Sequence, residues 1–329
     1  MVDEAAFAAR TGVHRIPVRT PFIVGPVNCY LLTDGPLTLV DTGTVTEDSW
    51  ADLCEGIRKC GHEISAIERI ILTHHHADHV GQCRRVVEVS GAEVWGHPGI
   101  LEQDRLSHVH DEAAKEFFVG IMREFGVPEQ DAREAMLLWN AFKTYSEPAL
   151  VDHEISEDMP LGPFRVFFVP GHSTTDTLFV NEAEGYTIAG DHLLEDFNPN
   201  PLLRRNAPGQ PRERALVEYQ ASLRRARSLP LGVCLPGHGE LIDSHHRVID
   251  GILAQHDRKS RRILQMCGPE GITPHETAMA FYPGLKLQHL YLALSVAVGQ
   301  LEVLEEQGAM VSRHEDGLLR YYKTEASAA

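Results

Sequence analysis

The sequence of 329 residues is short of positive charge. Its 30 Lys and Arg stand against 47 Asp and Glu, which gives a formal net charge of -17. Such an excess of acid repels phosphate backbones unless a local basic groove overrides it. The composition therefore disfavours nucleic acid as a partner without excluding it.

The sequence also lacks a disulfide framework, a signal peptide and a long apolar run. Its six cysteines form no CxxC pair, and a chain of this length can bury a core without disulfides. The N-terminus, MVDEAAFAARTG, is acidic where a signal peptide is basic, and no apolar run approaches the roughly 18 residues of a membrane span. We expect reduced thiols, a cytoplasmic location and no membrane partner.

Strand and helix patterns alternate along the first 97 residues. NCYLL and LTLVD, separated by a Thr-Asp-Gly-Pro turn, predict a hairpin, and residues 47–60 predict a helix. A buried strand at 67–73, a short helix at 83–90 and a strand at 92–97 follow. Units of strand, helix and strand predict an α/β layered domain.

Two regions depart from this alternation. Residues 98–147 are predicted to form long helices, which we interpret as an insertion that roofs a pocket. After residue 244 the pattern is mostly helical, with a Thr-Pro-His-Glu capping box, and the segments AMVS and LLRYYK predict a small β-hairpin. Three helices and a hairpin are typical of a winged-helix module, which we assign to residues 245–329, leaving 1–244 as the main domain.

The stretch LTHHHADHVGQ places candidate metal ligands at the end of the predicted strand 67–73. His74 and His76 are two residues apart, so on a strand their side chains point the same way and can hold one cation. Asp78 and His79 lie where the chain turns toward a helix and can hold a second cation.

Three later segments supply one further candidate ligand each. PGH ends at His172, GDH contains Asp191 and PGHG contains His238; each follows a predicted strand, with a glycine that lets the backbone come close to the site. All seven candidates are nitrogen or oxygen donors, a set that suits Zn²⁺ but also admits Fe or Mn.

The motifs THHHADH, PGHS, AGDH and PGHG, together with VDTG at residues 40–43, resemble those of the metallo-β-lactamase-fold hydrolase superfamily. They occur in the family order and span about residues 22–244. The resemblance implies a four-layer αβ/βα sandwich, with the metals at one edge between the sheets and residues 1–244 as the catalytic domain.

The resemblance also implies a role for each motif residue. Matched by position, the metal ligands are His74, His76 and His172 for the first metal, Asp78, His79 and His238 for the second, and Asp191 as the bridge. Asp41 matches an early aspartate of the family that lies beside the metals and supports them. Two divalent ions, with Zn²⁺ expected, would hold a bridging hydroxide as the nucleophile. Asp78 is expected to orient that hydroxide, a catalytic role, while it binds metal.

Several neighbouring residues receive a different interpretation. His75 and His192 adjoin ligands and are interpreted as structural or pocket-lining residues. After PGHS, residues 174–176 read Thr-Thr-Asp where many relatives have Pro-Gly-Ser. In the insertion, the aromatic residues Trp139, Phe142 and Tyr145 are either core residues or a lid that faces the substrate. The substrate-binding residues are not predicted.

The resemblance narrows the substrate only in part. True β-lactamases of the superfamily have no bridging aspartate at the position of Asp191, so antibiotic hydrolysis is not expected. A bridging aspartate resembles instead the glyoxalase II, lactonase and phosphodiesterase branches. We predict hydrolysis of a small or medium thioester or ester, with a small-molecule acyl substrate as the partner.

Three alternatives stay open. The C-terminal region resembles the module of the lactamase-β-like protein 2 group, which suggests an endoribonuclease or phosphodiesterase. However, residues 245–329 carry 9 Lys and Arg against 10 Asp and Glu, which is no basic footprint, and the β-CASP insertion of dedicated nucleases is missing. A lactonase is the second alternative, and a protein-association domain with structural metals is the third. The helical C-terminus also suggests a homodimer.

Overall fold

The computed structural model describes residues 2–103, 112–140, 144–204 and 212–325. Residues 112–114, 139 and 140 are described by their backbone alone. The predicted lid residue Phe142 lies outside the described residues, as does the side chain of Trp139.

The described ranges contain ten α-helices, the start of a further helix at residues 100–103, and thirteen β-strands. The helices are α1 (Glu4–Thr11), α2 (Glu47–Lys59), α3 (Ala77–Val80), α4 (Cys83–Ser90), α5 (Glu112–Glu124), α6 (Glu129–Asn140), α7 (Ala215–Arg227), α8 (His245–Met266), α9 (Pro274–Phe281) and α10 (Leu290–Glu306). The strands are β1 (Val13–Val18), β2 (Val27–Leu32), β3 (Thr38–Val40), β4 (Arg69–Ile71), β5 (Glu93–Gly96), β6 (His153–Glu154), β7 (Pro160–Leu161), β8 (Phe164–Phe168), β9 (Thr177–Asn181), β10 (Tyr186–Gly190), β11 (Val233–Pro236), β12 (Met310–Glu315) and β13 (Leu318–Lys323).

The chain divides into two compact units. The first unit comprises Met1–Val109, Lys143–Pro199 and Ser222–Ile249. The second comprises His110–Phe142, Asn200–Ala221 and Asp250–Ala329, so it groups part of the predicted insertion with the C-terminal region. The domain boundary at residue 244 and the winged-helix assignment stay predictions.

Two sheets lie face to face in the first unit. One has the order β1-β2-β3-β4-β5-β6, antiparallel from β1 to β3 and parallel from β3 to β6. The other has the order β11-β10-β9-β8-β7, in which only β10 and β11 are parallel. Val40 and Ile71 of the first sheet share a core with Val166, Phe179 and Ile188 of the second. Apolar side chains buried between the sheets supply the main stabilisation of this unit.

Helices cover the outer faces of the two sheets. Leu53 of α2 and Val86 of α4 belong to the core on the outer face of the first sheet. On the second sheet, Ser222 Oγ of α7 donates a hydrogen bond to the carbonyl oxygen of Pro170 at 2.7 Å, and the Arg225 guanidinium donates to the carbonyl of Phe168 at 3.0 Å. Because both faces are covered, every residue of β2 is buried. The predicted αβ/βα sandwich is confirmed.

Most predicted elements have the expected bounds, but the strand before the histidine cluster is shorter. The hairpin of β2 and β3 and the helices at 47–59 and 83–90 are confirmed. The strand predicted at 67–73 spans only Arg69–Ile71. Its ladder ends because the backbone N–H of Thr73 donates to the Asp41 carboxylate at 2.9 Å instead of to a neighbouring strand. The end of this strand therefore belongs to the site.

The second unit is mostly helical and includes the predicted hairpin. Met122 of α5, Ala132 of α6 and Leu294 of α10 share one core. The segments β12 and β13 pair antiparallel as predicted, and Tyr321 on β13 exchanges two backbone hydrogen bonds of 2.9 Å with Ile272. The predicted capping box is present at Thr273.

Helix α10 and the turn before it, Leu287–Glu306, are long and apolar enough to cross a membrane by length and composition, so the expectation that no apolar segment approaches that length was wrong. However, 72% of the most apolar window is buried inside the protein, as in the core helix of a soluble domain. The expected cytoplasmic location stays a prediction.

Candidate metal centre

Each predicted ligand follows the end of a strand in the first unit. The segment after β4 carries His74, His76, Asp78 and His79, and the last two lie on the single turn of α3. The other three are His172 after β8, Asp191 after β10 and His238 after β11. Side chains far apart in the sequence therefore meet at one edge of the sandwich, where α/β folds commonly bind ligands.

The structure brings all seven predicted ligands together in three overlapping groups. Within each group, the ligating atoms all lie within 4.8 Å of one another. The groups are His74, His76 and His172; His74, His79 and Asp191; and Asp78, His79 and His238. His74 and His79 each belong to two groups, so the three groups form one continuous cluster.

The carboxylate of Asp191 faces the cluster with both oxygens. Its Oδ1 lies 3.5 Å from His79 Nε2, and its Oδ2 lies 3.6 Å from Nε2 of both His172 and His238. Two ligands of one tetrahedral Zn²⁺, each about 2.1 Å from the ion, lie about 3.4 Å apart. The observed separations therefore suit atoms that share cations.

Three atoms of the cluster are buried without any hydrogen bond in the described part of the chain. They are His79 Nε2, Asp191 Oδ1 and His238 Nε2. Leaving a buried polar atom unsatisfied costs about 1–3 kcal/mol, and more for a charged group. A divalent cation would satisfy all three, so the residues present fit a metal site.

Comparison with known proteins agrees with this geometry. Residues 23–238 match the family model described as the metallo-beta-lactamase superfamily. The chain belongs to the metallo-β-lactamase superfamily.

Individual relatives support the same assignment. The chain is 31% identical over 312 residues to the "Probable metallo-hydrolase YqjP" of Bacillus subtilis, which covers 94% of this chain and 97% of that protein. It is 26% identical over 134 residues to an atrochrysone carboxyl ACP thioesterase of Aspergillus fumigatus, over 41% of this chain and 38% of the relative. A metallo-beta-lactamase family protein of Thermus thermophilus superposes with a TM-score of 0.80 at 26% identity, covering 95% and 99% of the two chains. The protein is a metallo-hydrolase of this superfamily.

Hydrogen bonds fix the orientation of two imidazoles in this metallo-β-lactamase superfamily site. Nδ1 of His79 lies 2.7 Å from Asp41 Oδ2, and Nδ1 of His238 lies 2.7 Å from the carbonyl oxygen of Pro26. Both partners are acceptors, so each Nδ1 carries a proton, and in the neutral ring the Nε2 lone pair faces the cluster.

Thr73 extends the same arrangement to His74. The Thr73 hydroxyl donates to Asp41 Oδ2 at 2.8 Å and lies 3.0 Å from His74 Nδ1. Because the hydroxyl proton is used toward Asp41, the hydroxyl oxygen accepts from His74 Nδ1–H. Nε2 of His74 is then left as a lone pair, 3.1 Å from His76 Nδ1. The sequence predicted the supporting place of Asp41 but did not identify Thr73, whose signal is a hydroxyl directly before the first ligand.

Electrostatics favour the ligand-competent protonation states of His74, His76 and Asp191, whereas they favour a proton on His79 that a bound cation would displace. Burial, reinforced by nearby imidazoles, holds the pKa of His74 and of His76 well below the usual value, so both stay neutral. Burial opposes ionisation of Asp191, but His238 and His79 outweigh it and lower the pKa of that carboxyl. Burial also opposes charge on His79, but the carboxylates of Asp191, Asp41 and Asp78 outweigh it and raise the pKa of His79. Neutral imidazoles and ionised carboxylates are the forms that bind metal.

His75 lies outside the three ligand groups. Its Nδ1 lies 3.0 Å from Thr175 Oγ1 and 2.9 Å from Ser173 Oγ, and its backbone N–H donates to Thr175 Oγ1 at 3.1 Å. Ser173 and Thr175, the latter one of the three residues at 174–176, therefore connect the two ligand loops. This use of Thr175 was not predicted, because sequence spacing does not reveal it.

The sequence also drew attention to His192 and Tyr145. His192 is buried and also lies outside the three groups; burial, with His172 nearby, lowers the pKa of His192 to about 3. The ring of Tyr145 contacts that of Phe22 edge to face, with centroids 5.6 Å apart. The lid stays a prediction.

Proposed function

We propose that this chain hydrolyses a thioester or ester of a small or medium acyl substrate, using two divalent cations held by the seven clustered residues. The observation that carries the proposal is the position of Asp191. Its Oδ2 lies 3.6 Å from both His172 and His238, which are ligands of the first and the second predicted site, as expected for a carboxylate shared by two cations.

The chemistry of the donors supports Zn²⁺ as the metal and also admits Fe or Mn, since imidazole and carboxylate suit all three. When bound, such cations lower the pKa of water toward neutrality and polarise the oxygen of a scissile carbonyl. This chemistry needs no separate protein base.

Asp78 is the chain's own candidate for orienting the attacking water. Its Oδ2 lies 3.2 Å from His238 Nε2, and its Oδ1 lies 3.9 Å from His79 Nε2. Burial opposes its ionisation, but His79 and His238 outweigh it and lower the pKa of Asp78. An ionised carboxylate only accepts hydrogen bonds, so Asp78 would accept one from the water and fix its direction of attack.

The acyl substrate is supported by the relatives rather than by a described pocket. The Aspergillus relative is named as a thioesterase acting on an acyl carrier protein. Thioester and ester hydrolysis share one requirement, a polarised carbonyl attacked by activated water, which the proposed cation pair would meet. A net charge of -17 disfavours binding of nucleic acid unless a local basic groove overrides it, which counts against the ribonuclease alternative.

One assay panel tests the proposal. The metal-loaded protein is compared with Asp191→Ala on a thioester, a lactone, bis-p-nitrophenyl phosphate and single-stranded RNA. We expect the highest kcat/KM on the thioester, and its loss in the variant, whose fold is checked by circular dichroism. Metal-dependent RNA cleavage without acyl hydrolysis would replace the proposal with a ribonuclease, and a preference for the lactone would replace it with a lactonase.

A further inference from the structure

The loop that carries His238 has few side chains of its own. Residues 236–239 read Pro-Gly-His-Gly, and Gly239 adopts a left-handed φ of 80°. Glycine is flexible, so the conformation of this loop depends on hydrogen bonds that other parts of the chain supply.

Asn28 on β2 supplies three of these bonds. Its backbone N–H donates to the carbonyl oxygen of Gly237 at 2.7 Å. Its side-chain Nδ2 donates to the carbonyl oxygens of Pro236 at 3.0 Å and Gly239 at 2.8 Å. One buried residue, 2% exposed, therefore binds the carbonyl groups on both sides of His238.

The chemistry of these contacts requires an amide. Both partners of the Asn28 side chain are carbonyl oxygens, so the NH₂ group and not the amide oxygen must face them. An NH₂ group has two donors, and both are used. Aspartate and leucine have a similar shape but offer no donor, so neither can replace Asn28 here.

Other residues bind the same loop from the same side. Tyr30 Oη donates to the Pro236 carbonyl at 2.7 Å, and the Arg15 guanidinium donates to the Gly239 carbonyl at 2.8 Å. The carbonyl of Pro26, two residues before Asn28, accepts from His238 Nδ1 at 2.7 Å. The strands β1 and β2 and the segment before β2 thus hold both the backbone and the ring of His238.

The position of this loop decides where the ligand atoms meet. His238 Nε2 lies 3.2 Å from Asp78 Oδ2 and 3.6 Å from Asp191 Oδ2. Gly237 is in close contact with the cluster, because a Cβ atom there would lie 2.1 Å from Asp191 Oδ1. A small displacement of the loop would therefore change the separation of three ligands at once.

We propose that Asn28 is the positioning residue of the second cation site, holding residues 236–239 so that His238 meets Asp78 and Asp191. This inference rests on the two-cation site of the proposed function. It assigns Asn28 no contact with substrate or metal. Its largest effect is expected on the cation bound by Asp78, His79 and His238, because His74, His76 and His172 lie on other loops.

Cobalt binding tests the inference without any assay of activity. The metal-free protein is titrated with Co²⁺, and the binding steps are followed by calorimetry and visible absorption. His238→Ala identifies the step that belongs to the second site. In Asn28→Ala, which keeps the backbone bond but removes both side-chain bonds, we expect that step to weaken 10- to 100-fold, the usual effect of losing a hydrogen-bonded support of a ligand. The other step is expected to weaken less, because its three histidines lie on other loops.

Asn181→Ala is the matched control. Asn181 is also a buried asparagine on a strand of the first unit, 3% exposed, and its side chain accepts from the backbone N–H of Glu184 at 3.1 Å. Its hydrogen bond serves a turn and no ligand loop. This variant is expected to lose comparable thermal stability and to bind both Co²⁺ ions as the unchanged protein does.

The outcomes separate the inference from the proposed function. Unchanged Co²⁺ affinities in Asn28→Ala, or equal weakening of both steps, would overturn the role of Asn28. A parent protein that binds fewer than two ions would overturn the two-cation proposal itself. Should Asn28→Ala not fold, Asn28→Leu decides, because it keeps the approximate shape and the backbone bond and removes both side-chain donors. A weaker second step supports the inference, and an unchanged one contradicts it.

Discussion

The carboxylate of Asp41 lies 2.7 Å from Nδ1 of His79 and is itself held by two hydrogen bonds from Thr73. Through the Thr73 hydroxyl the same carboxylate also orients His74. Because His74 and His79 are the two residues shared between ligand groups, one buried aspartate orients the imidazoles at the centre of the cluster.

Asp41→Asn tests this arrangement with little disturbance of the backbone. Asp41 has a φ of 56°, a left-handed conformation that asparagine also tolerates. Three donors face the Asp41 carboxylate, so an asparagine NH₂ must oppose at least one of them. We expect metal affinity to fall about 10- to 100-fold.

Competition between the protein and a chromophoric zinc chelator measures the effect of Asp41→Asn. The control is Asp158→Asn, an aspartate with a similar φ of 59° whose carboxylate pairs with Arg165 on the surface. Equal affinities in Asp41→Asn and the parent protein would show that Asp41 does not support the ligands.

Thr73→Val tests the hydrogen bonds of the Thr73 hydroxyl separately from the packing of its side chain. Valine has nearly the same shape as threonine, but it cannot donate to Asp41 or accept from His74. The side chain is buried, so the loss leaves a carboxylate oxygen and an imidazole N–H with one partner fewer each. We expect about tenfold weaker metal binding, the lower end of the range for such supports.

Thr73→Ser is the matched variant for these hydrogen bonds, because it keeps the hydroxyl and removes only a methyl group. Its metal affinity should stay close to that of the parent protein, although the methyl loss costs some stability. If the serine and valine variants bind metal equally well, the hydroxyl does not orient His74.

The ligands could be predicted from the sequence because each one lies in a short motif directly after a predicted strand. Each motif contains a histidine, an aspartate or both, and three of the seven ligand residues have a glycine as a neighbour. The structure brings all seven ligand residues together. The supporting contacts could not be predicted, because they join distant positions. Asn28 and Gly239 are 211 residues apart, and nothing near either residue announces the other.

Tertiary contacts also determine two features that the local sequence pattern does not fully predict, the end of one strand and the burial of one helix. The strand predicted at 67–73 ends at Ile71, since the N–H of Thr73 binds Asp41. The composition of Leu287–Glu306 fits a membrane span as well as a core helix, and only its burial distinguishes the two. The sequence pattern thus predicts which helices and strands form, whereas the hydrogen-bond partners of the backbone determine where each of them ends.

His97 is expected to make stability depend on pH. Its Nδ1 accepts a hydrogen bond from the backbone N–H of Gly99 at 2.9 Å, and its ring lies 4.2 Å from that of Phe168. Burial lowers the pKa of His97 from 6.5 to about 4. Below pH 6.5 the unfolded chain therefore binds a proton that the folded chain resists, and stability is lost as the pH falls from 6.5 toward 4.

The free energy of unfolding should fall by about 1 kcal/mol through His97. This is less than the full pKa shift implies, because the ring is partly exposed. His97→Asn keeps an acceptor near Nδ1 but does not titrate. Urea unfolding of both proteins at pH 7 and pH 4.5 isolates the effect, since all other groups cancel in the difference. A difference between the two proteins that is the same at both pH values would contradict the assignment.

Gly237→Ala should damage the ligand cluster directly. The added Cβ would lie 2.1 Å from Asp191 Oδ1 and 2.7 Å from His79 Cε1, far inside contact distance, so the loop or both ligands must move. Overpacking of this kind costs about 1–3 kcal/mol of stability. Metal affinity should fall further than in the variants of Asp41, Thr73 or Asn28, because three ligands shift together.

Gly251→Ala on α8 is the control, since a Cβ there meets no atom within 4 Å and alanine favours the helix. Thermal unfolding and metal content of the two purified variants measure the contrast, and full metal content in Gly237→Ala would show that the loop can move without disturbing its ligands.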